Sequence, residues 1–293
     1  MQLRSFGHSG IQVSAIGFGA GHIGGSEINE AQVAYLLDQA LELGINLIDT
    51  ARGYGESEAR IGKWLQTHRR EEIVLSTKIG YGMAGIPDWT ADCIVAGVDF
   101  ALNLMRCDYL DIVHLHSCSL ETLQQSDVIP ALQALVKAGK VRVMAYSGEN
   151  QALEWSIDSA YFGSVQCSVN LCDRYSLNHV LPRAAQHGLG VIAKRPLANA
   201  FWRFEQAPIG DYSYDYWQRW QQMQIDLDMP MPELAARFTA FAPTVSTAII
   251  GTRRLENLQS LVQAVSKGPL PDDISELLHQ AYAPFDSQWP GLI

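Results

Sequence analysis

Residues 44–58 read GINLIDTARGYGESE. A short apolar run, INLI, ends in Asp49, and Tyr54 follows five residues later between Gly53 and Gly55. The run has the length and composition of a buried strand. The glycines permit a tight turn directly after it. An aspartate and a tyrosine are thus set at the exit of a strand, where a parallel fold gathers its chemistry.

Further runs of the same kind lie on either side. Strands are expected at 14–18, 46–49, 74–78, 110–116, 141–147, 164–169, 190–194 and 247–250. Between them lie amphipathic stretches such as 30–43, 90–105, 128–138 and 180–187, and 255–266 follows the last strand. Strands that alternate with helices imply a parallel sheet. Eight of them close a (β/α)8 TIM barrel of about this length. The opening LRSFGHSGIQVS, residues 3–14, reads as an N-terminal β-hairpin that caps the barrel floor. No linker or break in composition interrupts the chain, so residues 1–293 are expected to form one domain.

One segment breaks the alternation. Residues 199–227, NAFWRFEQAPIGDYSYDYWQRWQQMQIDL, make a long aromatic βα loop after the seventh barrel strand. A loop so aromatic is either a packed extra helix or a lid over a pocket. Trp89, after the third strand, could join such a wall. The C-terminal DSQWPGLI, residues 286–293, either packs beneath the barrel or reaches the same pocket.

Composition narrows the class. A net charge of −10 argues against a nucleic-acid surface. No apolar run approaches the roughly 18 residues that would span a bilayer, and the N-terminus lacks a signal-peptide core. The five cysteines at 93, 107, 118, 167 and 172 form no CxxC pair, so no metal site or disulfide framework is indicated and a cytoplasmic location is expected. Cys118 reads as a small filler with no base beside it.

Three consecutive strands end in polar side chains. Asp49 closes the second, Lys78 the third and His116 the fourth. Taken singly, each has an ordinary role: a helix cap, a solvated rim charge, a structural histidine. Together on one barrel face they make a site. A buried lysine needs a partner, and Asp49 on the neighbouring strand can supply it. A neighbouring ammonium favours the phenolate, which makes the Tyr54 phenol a better acid. His116, as a neutral imidazole, can donate to a carbonyl oxygen.

These motifs carry a family resemblance. GINLIDTARGYGESEARIGKWL, residues 44–65, resembles the aldo-keto reductase signature. LRSFGHSGIQVSAIGFGA resembles the family's opening hairpin and first strand, IVLSTKIG its lysine strand and YLDIVHLHS its histidine strand. GKVRVMAYSG, SVQCSVNLCDR and AIIGTRRLENL resemble later segments, so the likeness covers nearly the whole chain. It implies a TIM-barrel oxidoreductase that uses NADP(H) with a small-molecule carbonyl or alcohol substrate, and a catalytic tetrad of Asp49, Tyr54, Lys78 and His116. His116 is preferred to His114 because the family's histidine stands five residues after the aspartate of the LD pair, here Asp111.

The resemblance also implies a cofactor surface. Asp49, with the small first loop at Gly19 and Gly21, would flank the nicotinamide, and Ser147 and Gln166 would bond its carboxamide. Segment 195–198, with Arg195, Pro196 and Leu197, would line the pyrophosphate, and Lys194 would stand beside it at the cofactor surface. Gly251, Thr252 and Arg253 would hold the adenosine phosphates at a helix N-terminus, with Asn257 later in the same cofactor segment, where other members often carry basic or polar contacts. The chain departs from the family at Gly148, where an asparagine is common, and at Lys194 or Arg195, where an aromatic often stacks.

Residues 19–24, GAGHIG, also match the G-x-G-x-x-G of a Rossmann turn. In that fold the third glycine lies within a helix, whereas here the apolar period starts only near Ala31. The Rossmann reading also leaves Tyr54 and Lys78 without a role. A second function class fits the same barrel: a cofactor-binding redox sensor or partner subunit with little or no turnover.

Overall fold

Along each barrel strand, alternate side chains point inward, and the inward set changes from apolar to polar on the way from floor to mouth. The computed structural model describes residues 1–293. Strands β1 (Leu3–Ser5) and β2 (Gln12–Ser14) pair antiparallel as the expected hairpin. Strands β3 (Ile16–Gly19), β4 (Leu47–Asp49), β5 (Val74–Ile79), β6 (Leu110–His116), β7 (Val141–Ser147), β8 (Ser164–Ser168), β9 (Gly190–Lys194) and β10 (Thr247–Ile250) form a closed parallel barrel, a (β/α)8 TIM barrel. β10 closes it by pairing with both β9 and β3. The strand limits read from sequence agree to within two residues.

Helices wrap the outside. They are α1 (Glu30–Glu42), α2 (Ser57–Leu65), α3 (Ala91–Met105), α4 (Leu120–Gln125), α5 (Val128–Lys137), α6 (Asn150–Asp158), α7 (Leu181–Gln186), α8 (Tyr214–Met223), α9 (Met231–Ala240), α10 (Leu255–Ser266) and α11 (Asp272–Tyr282). α1 starts late, at an Asn29–Gln32 capping box. The preceding GAGHIG is a 3-10 turn, Ala20–Ile23, so these glycines do not open a long helix as a Rossmann turn would.

The barrel floor is apolar. Leu47, Val74, Ile112, Val143 and Ile192 pack against Phe6, Ile11 and Val13 of the hairpin. Gly190 admits the Phe6 ring, since a Cβ there would come within 2.6 Å of it. Burying each such side chain contributes about 1.5–3 kcal/mol. Two residues beyond the floor, the same alternation brings inward Asp49 after Leu47, Ser76 after Val74, His114 after Ile112 and Lys194 after Ile192. One more step reaches Lys78 and His116.

The long aromatic loop proves to be mostly packing. Phe201, in a 3-10 turn, and Tyr216, on α8, are buried in a small core with Leu171, Leu234 and Leu278. Trp202, Trp217 and Trp220 lie against it half-buried. Tyr212 stays largely exposed and reaches Arg195. No helix is long and apolar enough to cross a membrane.

Candidate active site

Asp49 and Lys78 meet on adjacent strands at the barrel mouth. Lys78 Nζ lies 2.6 Å from Asp49 Oδ2 and donates also to the Thr50 carbonyl at 2.7 Å. Both side chains are almost wholly buried, 1% and 2% exposed, so the ammonium depends on its partners. Burial pushes the Lys78 pKa down. The charge of Asp49, and after it Tyr54, outweighs burial and leaves that pKa raised. The other carboxylate oxygen, Oδ1, accepts from Ser76 Oγ at 2.7 Å and Gln166 Nε2 at 3.1 Å. Lys78 Nζ stands 5.0 Å from the centre of the Tyr54 ring.

The rest of the DTARGYGESE stretch holds Tyr54 in place. Thr50 Oγ1 donates to Ser57 Oγ at 2.8 Å, and Ser57 Oγ donates to the Ala20 carbonyl at 2.9 Å. Thr77 Oγ1 donates to buried Glu58 at 2.7 Å. Burial raises the Glu58 pKa against the opposing pull of that hydrogen bond and of Arg52 and Lys78. Gly21 lies flat beside the Tyr54 ring, where a Cβ would sit 3.6 Å away. Gly24 is required for fit: any Cβ there would overlap the Tyr54 carbonyl oxygen.

Two histidines share the inner side of β6. His114 is fully buried, and its Nε2 has no hydrogen-bond partner. Burial, with Lys78 nearby, lowers its pKa to about 4. His116 lies at the mouth, its ring 6.2 Å from that of Tyr54 and nearly perpendicular to it. Burial first, then the charges of Lys78 and Lys194, lower the His116 pKa to about 3, so the ring is neutral. Its Nδ1 lies 2.7 Å from the hydroxyl of Tyr81, a residue that no motif singled out.

The residues expected at a cofactor surface lie around the same mouth. Ser147 Oγ donates to Gln166 Oε1 at 3.1 Å, and β7 and β8 place the two side by side. Gly148 is buried beneath Tyr146, whose hydroxyl donates to the Cys118 carbonyl at 2.9 Å. A side chain at 148 would overlap that hydroxyl, which explains the departure from asparagine. Cys118 itself is buried, and burial raises its thiol pKa to about 12.

Gly19 and Gly251 meet across β3 and β10, a Cβ on Gly19 standing 3.3 Å from the Gly251 nitrogen. Thr252 and Arg253 precede α10, and Asn257 is exposed in its first turn. Arg253 is not free: its Nη1 lies 3.2 Å from Glu27 Oε2 in the first βα loop. Pro196 is buried, and its carbonyl accepts from Thr239 Oγ1 at 3.3 Å. Leu197 packs half-buried against the core.

Lys194 and Arg195 close the remaining side. Lys194 Nζ pairs with buried Glu149 at 3.2 Å, and Glu149 also accepts from the Ser168 nitrogen at 2.8 Å. Arg195 bonds the Tyr212 hydroxyl and donates to the Leu292 carbonyl at 2.7 Å. The Leu292 nitrogen donates to Asp173 at 3.0 Å, and Gly291 exchanges hydrogen bonds with Asn150. The C-terminal residues therefore reach over the mouth instead of packing beneath the barrel. Burial, then the charge of Glu149, raises the Asp173 pKa to about 7. Tyr81, Glu149 and Asp173 carried no sequence signal beyond polarity near a strand end.

Comparison with known proteins places this geometry. The profile of the Aldo/keto reductase family matches residues 15–283. The chain is similar to L-galactose dehydrogenase of Arabidopsis thaliana, 33% identical over 68% of this chain and 66% of that protein. It is similar to D-threo-aldose 1-dehydrogenase of a Pseudomonas species, 24% identical over 84% and 87% of the two chains. Among solved structures, the holo form of an aldo-keto reductase from Bacillus halodurans superposes with a TM-score of 0.83, at 26% identity and covering 96% of each chain.

Proposed function

The chain belongs to the Aldo/keto reductase family, and from that premise we propose that it transfers a hydride between NADP(H) and the carbonyl or alcohol carbon of a small substrate. The observation that carries this reading is the buried Asp49–Lys78 pair with its ammonium against Tyr54 and a neutral His116 alongside.

The residues at the mouth fit a dinucleotide. Gly19 and Gly251 bring their backbones together at the mouth, with the His22 ring against Gly251. The N-terminus of α10 offers unpaired N–H groups to phosphate, with Thr252, Arg253 and Asn257 beside it. Ser147 and Gln166 would hold the carboxamide, and residues 194–197 the ring and pyrophosphate. Arg253 and Arg254 suit a 2′-phosphate, which favours NADP(H) over NAD(H).

When bound, the cofactor supplies or accepts the hydride. His116 donates an N–H to the substrate oxygen and fixes the carbonyl. Tyr54 gives its proton to that oxygen as the carbon is reduced. Lys78 stabilises the phenolate left behind, and Asp49 keeps Lys78 charged and in place. Solvent then restores the Tyr54 proton. In the direction of oxidation, Tyr54 takes the proton from the alcohol. A positioned acid of this kind is worth roughly 10²- to 10⁴-fold.

An aldose is the substrate class best supported. The relatives named for L-galactose and for a D-threo-aldose support it.

The test compares wild type with Tyr54→Phe, using NADPH consumption on a panel of aldehydes and NADP⁺ reduction with aldoses. Nucleotide binding is followed by fluorescence. The expected result is retained binding and a loss of turnover of at least about 10²-fold. Full turnover in the variant, or no turnover of any carbonyl by the wild type, would reject the reading.

A further inference from the structure

We propose that Tyr81 is a positioning residue for His116: its hydroxyl donates to Nδ1 and holds the neutral ring in the tautomer that carries its proton on Nε2. The contact, at 2.7 Å, is the only hydrogen bond the His116 ring makes within the protein. A neutral imidazole has one donor and one acceptor nitrogen, so whichever atom meets Nδ1 decides which nitrogen faces the substrate. A phenol is a strong donor and a weak acceptor, and the unprotonated imidazole nitrogen is a strong acceptor. Burial, reinforced by Tyr54, raises the Tyr81 pKa and keeps its proton in place. Nδ1 therefore accepts, and Nε2–H is left as the ring's donor.

The fold is shaped to put that hydroxyl there. Tyr81 belongs to the loop after β5, which closes on itself: the Trp89 nitrogen donates to the Gly80 carbonyl at 2.8 Å, and the Gly82 nitrogen to Asp88 at 2.9 Å. Gly80 has φ +127°, and the Trp89 ring fills the space a side chain there would need. The Trp89 ring packs 6.1 Å from that of Tyr81, and the Tyr81 ring lies 5.5 Å from the His116 ring, 30° from parallel. On the far side, Gly53 leaves room for the hydroxyl, since a Cβ there would stand 2.9 Å from it. Gly53 thus belongs to the stretch that carries Tyr54 and at the same time makes the seat for Tyr81.

The functional consequence rests on His116 orienting the substrate oxygen, as proposed above, but the tautomer is read without turnover. Nitrogen-15 spectra of histidine-labelled protein give the tautomer of each ring, and His116→Gln assigns the signal. The wild type is expected to show His116 neutral with its proton on Nε2. Tyr81→Phe is expected to show both tautomers, unchanged NADPH binding by fluorescence, and roughly tenfold lower kcat/KM on the best carbonyl substrate. A wild-type His116 protonated on Nδ1 would overturn the proposal, and so would a Tyr81→Phe protein with the Nε2 tautomer intact. If Tyr81→Phe does not fold, the wild-type spectrum alone decides. If no carbonyl is turned over, the tautomer result stands and only the reductase reading falls.

Discussion

Gln166 on β8 donates its amide to Asp49 on β4, with Nε2 3.1 Å from Oδ1. A carboxylate only accepts, so the amide nitrogen must face it and the amide oxygen must face Ser147. The side chain expected at the nicotinamide carboxamide therefore also braces the Asp49–Lys78 pair from across the barrel.

Gln166→Glu would turn that brace into a repulsion. Two carboxylates would then share one buried corner with a single ammonium. The expected loss of stability is about 1–3 kcal/mol, read from the midpoint of denaturant unfolding. An unchanged midpoint would mean that the amide contributes nothing to Asp49.

Asp49 and Lys78 should behave as a coupled pair. Asp49→Asn or Lys78→Met alone leaves one buried partner unmatched and should cost about 3–5 kcal/mol. The double variant should recover a large part of that loss while remaining inactive. A double-mutant cycle tests this, and simple additivity of the two losses would argue against a direct pair.

Acid should destabilise the barrel through its histidines. His114 and His116 have folded pKa values near 4 and 3, below the ordinary 6.5. Between those limits the unfolded chain takes up protons that the folded chain refuses. Their contribution to stability is thus complete above about pH 6.5 and is lost as pH falls through about 4 towards 3. Unfolding midpoints measured against pH should show this slope, and His114→Gln should flatten it. His116 stays neutral above pH 5 on the same grounds, so an acid limb of activity in that range would have to come from another group.

Glu27 competes for Arg253. The pair, 3.2 Å apart and well exposed to solvent, joins the first βα loop to the segment before α10. Glu27→Gln should release the guanidinium and tighten NADPH binding about two- to fivefold. The gain should shrink at high salt, as screening of an exposed pair requires. Fluorescence titration at two ionic strengths tests it, and weaker binding in the variant would mean that the ion pair organises the phosphate site instead.

The barrel was legible because its strands are short, apolar and regularly spaced, and β6, β7, β9 and β10 lie where the residue pattern put them. The placement of Asp49, Lys78 and His116 around one mouth was legible for a related reason: each stands at the end of an apolar strand, and the three strands follow one another in the barrel. Tyr81 was not, because its role depends on a loop closed by Gly80, Trp89 and Asp88, none of which repeats with a strand or helix period. Glu149 and Asp173 were hidden likewise. Their partners, Lys194 and the Leu292 nitrogen, are 45 and 119 residues away along the chain. The aromatic loop left its two readings open because composition cannot tell a wall from a core. Only the burial of Phe201 and Tyr216 separates them.

The Tyr146 ring occupies the space beside Gly148. Introducing the asparagine common elsewhere in the family thus has a required order of steps. Removing only the phenolic oxygen is insufficient, since ring carbons would still stand 2.6 and 2.7 Å from a new Cβ. An engineered lineage must first shrink position 146 and only then enlarge position 148. The reverse order passes through a crowded intermediate in which the Tyr146 ring must move to admit the new side chain.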